Sequence, residues 1–254
     1  MANAAVAQYD NVIPFEIIIG NKNKKKNERH GGKVAGQDSE VYAFKTKEEI
    51  KAMIDVFDRH IAEATNNSQR KIAYRNKVLF IVGINVGIRA SDLRELRWSF
   101  FFDNDVDGTL KFKEFYKFVP KKTSKTRKYV RINFNDAVKK IVSAYIAEYP
   151  IDNIDDYVFA SRKGDGPIEA RGILRIVKDA AKEAGIKQNI GSHSLRKTFG
   201  RALYEGAQDK TAALVLLSTI FNHSSVSITE RYIGITNDEI DDAFKSLNLG
   251  IEDI

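Results

Sequence analysis

The 254-residue chain has no cysteine. That excludes disulfides, thiolate nucleophiles and cysteine-held metal centres together, and fits a reducing compartment. A glycine-rich phosphate loop, an HExxH helix and a GxSxG elbow are also missing, so the common nucleotide, metalloprotease and acyl-transfer chemistries leave no signature. No run is long and apolar enough to span a bilayer, and the N-terminus shows neither the charged start nor the apolar stretch of a secretion signal. The expectation is a soluble cytoplasmic protein with no cofactor and no membrane partner.

What the chain has in excess is positive charge: 41 Lys and Arg against 34 Asp and Glu, a formal charge of +7. That balance favours a polyanionic partner. Much of it is local. Residues 1–42 read as a basic arm in which "NKNKKKNERHGGKVAGQDSE" carries Lys24, Lys25 and Lys26 among further cations. Such a run is either a solvated tail or an arm lying along a phosphate backbone.

Residues 43–254 read as one mainly α-helical domain carrying a small antiparallel β-sheet. Thr46 and Glu49 form a capping box, and Ile50, Ile54, Phe57 and Ile61 follow at helical spacing. A second helix runs from about Gln69 through "KVLFIVGINVGIRASDLRELRW", broken at Gly87, with Ser91 placed to cap the next. "TLKFKEFYKFV" and "RKYVRINF" are strand segments around the turn "PKKTSKTR", where every charged residue from Lys117 to Arg131 is positive. Lys121, Lys125 and Arg127 in that turn suit phosphate contact. Helices then follow: one capped by Asn135, one starting near Pro167 and stopped by Gly185, one from Ser192 to Gly206, and an acidic last segment with Ile240, Phe244 and Leu247 on one face.

In "HSLRK", His193 and Arg196 stand three apart at a helix start, which puts both side chains on one face beside unpaired amides, an arrangement suited to phosphate. His30 and His60 read as structural.

Taken in order, "GIRASDL", "KKTSKTRK", "HSLRKTFG" and "NHSSVSITERYIGI" resemble the catalytic domain of the tyrosine recombinases, the phage integrase family, over residues 43 to 250. The resemblance implies a site-specific recombinase of double-stranded DNA. Arg89 and Arg196 would neutralise the phosphate, Lys122 would protonate the leaving 5′ oxygen, and Tyr232 would attack phosphorus to form a 3′-phosphotyrosyl link. His193 would help remove the tyrosine proton and His223 would hydrogen-bond the phosphate, with no metal, ATP or cofactor. Ser227 and Glu230 are expected to cap the tyrosine helix. Asp92 either orients a guanidinium or caps its own helix, and Tyr116, Tyr129 and Tyr204 are rival nucleophiles by residue type alone.

The forty-odd residues before Thr46 are too few for the helical core-binding domain of many relatives, and the segment between Arg196 and His223 is long enough to shift His223 by an extra turn. The C-terminal segment is either donated to a neighbour in a tetramer on paired DNA sites or folded back on its own domain. Accessory DNA-bending proteins and association with the nucleoid go with this reading. The alternatives are topoisomerase-like relaxation of the type IB kind and a non-catalytic module that competes for recombination sites.

Overall fold

The computed structural model describes residues 40–104, 109–120, 129–162 and 166–247. Helix α1 (Lys47–Ala62) starts where Thr46 Oγ1 accepts from the Glu49 amide at 3.1 Å, while Glu49 Oε2 accepts from the amide of Lys45 at 2.7 Å. The capping box therefore forms with its return bond moved one residue upstream. Met53, Val56 and Phe57 are the residues α1 buries, while Ile50, Ile54 and Ile61 lie half-buried at the edge of that stripe. The buried face is thus rotated from the expected one.

Helix α2 (Asn67–Val86) is capped by Asn66, whose Oδ1 accepts from the Gln69 amide, and it ends at Gly87 with φ 66° and ψ 17°. It is the central helix and packs against α1, α4 (Asp136–Glu148) and α6 (Ser192–Gly206). The short α3 (Ala90–Leu93) follows at once. Ser91 lies inside α3 and not ahead of it: the N-cap position is Arg89, and no side chain caps it.

The strand region departs from a single sheet. β1 (Phe102–Asn104) pairs antiparallel with β2 (Leu110–Phe112), and β3 (Phe115–Phe118) pairs antiparallel with β4 (Val130–Asn133). "TLKFKEFYKFV" is thus split between two two-stranded sheets. The division falls between Lys113 and Glu114: the Lys113 amide donates to Phe101 O at 2.8 Å, in register with the β1–β2 pairing, whereas Glu114 O accepts from the Phe134 amide at the end of β4. The register Phe118 opposite Val130 forms the base of the basic hairpin. Its tip, with Lys121, Lys122, Lys125 and Arg127, lies outside the described residues, as do Lys24, Lys25 and Lys26 of the arm.

The core divides by position along α6. The larger cluster gathers α1, α2, α4, the strands and α5 (Ala170–Glu183), with Phe100, Phe101, Phe112 and Phe134 in ring contact and Trp98 stacked on Tyr145. The smaller one joins α7 (Lys210–Phe221), α8 (Val226–Ile233) and α9 (Ile235–Ser246) through Leu214, Leu217, Phe221, Ile233 and Ile235. Each fully buried side chain of this kind contributes ~1.5–3 kcal/mol. Leu195 of α6 faces the first cluster and Phe199 the second. The predicted face of α9 is outside both: Ile240, Phe244 and Leu247 are exposed. No single described helix is long and apolar enough to cross a membrane.

Candidate active site

The site forms where three chain breaks meet the start of α6. At the first, Gly87 takes a left-handed conformation, and a Cβ there would lie 2.3 Å from the Phe199 ring, so only glycine turns this corner at this distance. The turn frees the Gly87 carbonyl and places Arg89 at the α3 N-cap with extended backbone. At the second, Asn222 closes α7 at φ 51° and ψ 49°, a left-handed conformation that asparagine tolerates best after glycine. Its amide and that of His223 bond back to Thr219 and Ser218, which leaves the Phe221 carbonyl without a helical partner.

Arg196 joins these ends. Nη1 donates to Gly87 O at 2.6 Å and Nη2 to Phe221 O at 3.0 Å, while the guanidinium carbon lies 4.1 Å from the Phe221 ring centroid. Arg89 Nη2 reaches the same Phe221 carbonyl at 3.5 Å. Two helix C-termini, the negative ends of their dipoles, thus hold the cations. Arg196 is only 5% exposed, and carbonyl partners and an aromatic face are what make that burial tolerable. Burial, with the neighbouring Arg89 charge, pulls its pKa down to about 10, against the opposing influence of Tyr232 and Asp92. The group stays cationic at neutral pH.

Asp92 is buried within α3, and its negative charge acts on Arg196.

The third break delivers the tyrosine. Ser225, not Ser227, is the N-cap of α8: its Oγ accepts from the Ile228 amide at 3.4 Å, and Ser227 and Glu230 lie within the helix. The left-handed Asn222 makes the connection so tight that extended backbone, and with it the cap, falls two residues earlier than expected. Tyr232 then lies against α6, which approaches closely because residue 200 is glycine. A Cβ there would meet Ile233 Cγ2 at 2.7 Å and the Phe221 ring at 2.9 Å.

The Tyr232 hydroxyl is 3.5 Å from His193 Nδ1, and its ring packs edge-on against His223 and Phe221 at centroid distances of 5.3 and 5.5 Å. Burial raises the phenol pKa, and the charges of Arg196 and Arg89 oppose that rise. The resting phenol is therefore protonated. His193 moves the other way: burial first, then the charges of Arg196, Lys197 and Arg89, hold its pKa below the ordinary imidazole value. A neutral histidine beside a protonated phenol is a proton acceptor beside a proton donor.

The structure thus brings together Arg89, His193, Arg196, His223 and Tyr232, while Lys122 lies outside the described residues. His223 stays at the tyrosine, the intervening chain being taken up by a short link and α7, capped by Asp209. Among the rivals, Tyr116 packs on Phe100, Tyr129 is exposed beside Lys117, and Tyr204 lies next to Lys210. His60 binds Glu183 at 2.8 Å, far from any of this in role.

Sequence reasoning missed Thr229, Phe221, Lys197 and Glu40. Thr229, fully buried, holds His223 Nδ1 at 3.0 Å through its hydroxyl. Its signal was a polar residue one turn before Tyr232. Phe221 supplies both a carbonyl and a ring. Lys197 lies over the Tyr232 ring at 5.7 Å and pairs with Glu40 at 3.0 Å.

Comparison with known proteins identifies the family. The phage integrase family model matches residues 44–239. A protein named probable integrase/recombinase YoeC, from Bacillus subtilis (strain 168), is 34% identical over 171 residues, 67% of this chain and 83% of its own length. The tyrosine recombinase XerH of Campylobacter jejuni subsp. jejuni serotype O:2 (strain ATCC 700819 / NCTC 11168) is 25% identical over 90% of this chain, which spans 61% of that protein. A crystal structure of XerH site-specific recombinase bound to palindromic difH substrate, a post-cleavage complex, has the same fold, with a TM-score of 0.55 and 19% identity over 80% of this chain and 53% of that one. The chain belongs to the phage integrase family.

Proposed function

We propose that this chain is a site-specific DNA recombinase that cuts and rejoins strands through Tyr232, without metal, ATP or cofactor. The observation that carries the reading is the Tyr232 hydroxyl 3.5 Å from His193 Nδ1, on the same Phe221 corner to which Arg89 and Arg196 are bonded.

The Tyr232 oxygen attacks the scissile phosphorus, its proton passes to His193, and the bond from phosphorus to the 5′ oxygen breaks. Lys122 protonates that oxygen. The products are a 3′-phosphotyrosyl ester and a free 5′ hydroxyl, and attack by another 5′ hydroxyl reverses the step with the ester energy conserved. Charge on the non-bridging oxygens is met by Arg89 and Arg196, whose planar donors match phosphate and need no metal. Two carbonyls already set the plane of the Arg196 fork, so little reorganisation accompanies the reaction. His223, steadied by Thr229, adds a donor to the phosphate.

Double-stranded DNA is the substrate, and the arm residues Lys24, Lys25 and Lys26 and the hairpin residues Lys121, Lys125 and Arg127 add salt-sensitive backbone contacts. Exposed Ile240 and Phe244 on α9 and Leu247 at its C-cap support docking of this helix on a neighbouring protomer in a tetramer on paired sites. The test uses nicked duplexes randomised across both half-sites, from which covalent complexes are recovered under denaturing conditions. Wild type yields an adduct that survives EDTA, and Tyr232→Phe yields none. No adduct from wild type, or an equal one from the variant, removes the assignment.

A further inference from the structure

His193 and Lys197 are one helical turn apart on α6 and share a face, and Tyr232 lies along it. His193 Nδ1 is at the phenol oxygen, 3.5 Å away, and Lys197 Nζ is 5.7 Å from the ring centroid. A surface lysine would extend its head to water, yet Lys197 is 7% exposed. Its ammonium turns inward to Glu40, 3.0 Å away.

Glu40 is itself held. The Asn189 side chain donates to the Glu40 carbonyl at 2.7 Å, the Tyr42 amide donates to Asn189 O at 2.9 Å, and the Phe44 amide donates to Thr198 Oγ1 at 2.8 Å. Residues 40–44 are therefore strapped across the first turns of α6, one bond reaching Thr198 next to Lys197 itself.

We propose that Lys197 is a positioning residue for the nucleophile, its ammonium tethered by Glu40 and holding the Tyr232 ring against α6 with the hydroxyl at His193. The contact is a cation over an aromatic face within ~6 Å, the range in which ring and charge attract. The same charge acts on His193. Facing that imidazole are Arg89 from the α2–α3 junction, Arg196 and Lys197 from α6 and Tyr232 from α8, with Asp92 beyond Arg196 and Glu40 beyond Lys197. The lysine thus helps keep His193 ready to accept the phenol proton. The proposal rests on Tyr232 as the nucleophile.

The test is single-turnover cleavage by the full chain on a duplex recovered in the selection above, across about pH 5 to 9. Lys197→Met slows cleavage about fivefold, ~1 kcal/mol at 1.36 kcal/mol per decade, leaves DNA affinity unchanged and moves the acid limb of the profile to higher pH. Lys197→Arg restores most of the rate with the limb where wild type has it. Glu40→Gln, on a partly exposed strap, unties the ammonium and slows cleavage in the same sense as Lys197→Met, by less. A Met variant matching wild type in rate and limb overturns the proposal, as does an Arg variant as slow as the Met variant. Should Lys197→Met fail to melt cooperatively, Glu40→Gln decides, and a wild-type cleavage rate counts against the proposal. Absence of any wild-type adduct would remove the recombinase reading instead.

Discussion

Replacing Arg196 by lysine keeps the charge and removes the fork. The guanidinium bridges Gly87 O and Phe221 O at 2.6 and 3.0 Å, whereas an ammonium on a narrower head replaces one of these bonds. Losing one charge-assisted hydrogen bond removes about 1.5–3 kcal/mol, and a value near 2 kcal/mol lowers the melting temperature of a domain this size by about 4–8 °C. A domain with an ordinary margin of ~5–15 kcal/mol stays folded. The chemical loss is larger, because one preorganised donor to a developing oxyanion is worth about 2.7–4 kcal/mol, or about a hundred- to a thousandfold in rate. Urea unfolding and single-turnover adduct formation, measured on the same preparation, separate the two. A lysine variant within about threefold of the wild-type rate, ~0.6 kcal/mol, would refute the fork argument. So would activity that returns in full on cooling, since the loss would then be one of folding alone.

The pH profile follows from His193, which must be neutral to accept a proton. Its pKa is lowered, so the cleavage rate holds level through neutral pH and falls only below the ordinary imidazole value of about 6.5. Because the unfolded imidazole binds its proton first, stability likewise declines as pH drops below about 6.5, and His193→Gln removes that component of both curves. Lys122→Ala slows cleavage of ordinary DNA, yet a substrate with sulfur in place of the bridging 5′ oxygen restores the rate. A thiolate leaves without help, the thiol pKa being about 8.5. If both substrates are slowed alike, Lys122 is not the acid. Phe244→Ser leaves the melting temperature within about 1 °C, as expected for an exposed side chain, and abolishes joining of paired sites while first-strand cleavage persists. Unchanged joining would place α9 against its own domain.

Much of this arrangement was legible because it is local. Gly87 marked the corner before Arg89, Asn135 capped its helix as expected, Gly185 ended α5, and the three-residue step from His193 to Arg196 fixed a shared face. Errors arose where two neighbouring residues competed for one role. Ser225 and Ser227 are both good caps, and the left-handed Asn222 decided between them. Ser91 lost to the tight turn at Gly87, which starts α3 at once. The single expected sheet became two because Leu110–Phe112 pairs back on Phe102–Asn104, a segment with no strand signal of its own, and leaves only Phe115–Phe118 to the hairpin. Thr229, Lys197, Glu40 and the Phe221 carbonyl were beyond local reading, since their roles exist only after α6, α7, α8 and the strap at 40–44 pack together.

The central claim is that the phenol oxygen of Tyr232 becomes bonded to DNA phosphorus. It is tested most directly by digesting the trapped covalent complex with protease and nuclease and sequencing the modified peptide by mass spectrometry. The account predicts a nucleotide remnant on Tyr232 within "ERYIGI". A remnant on Tyr116, Tyr129, Tyr204 or any residue other than Tyr232 would contradict it.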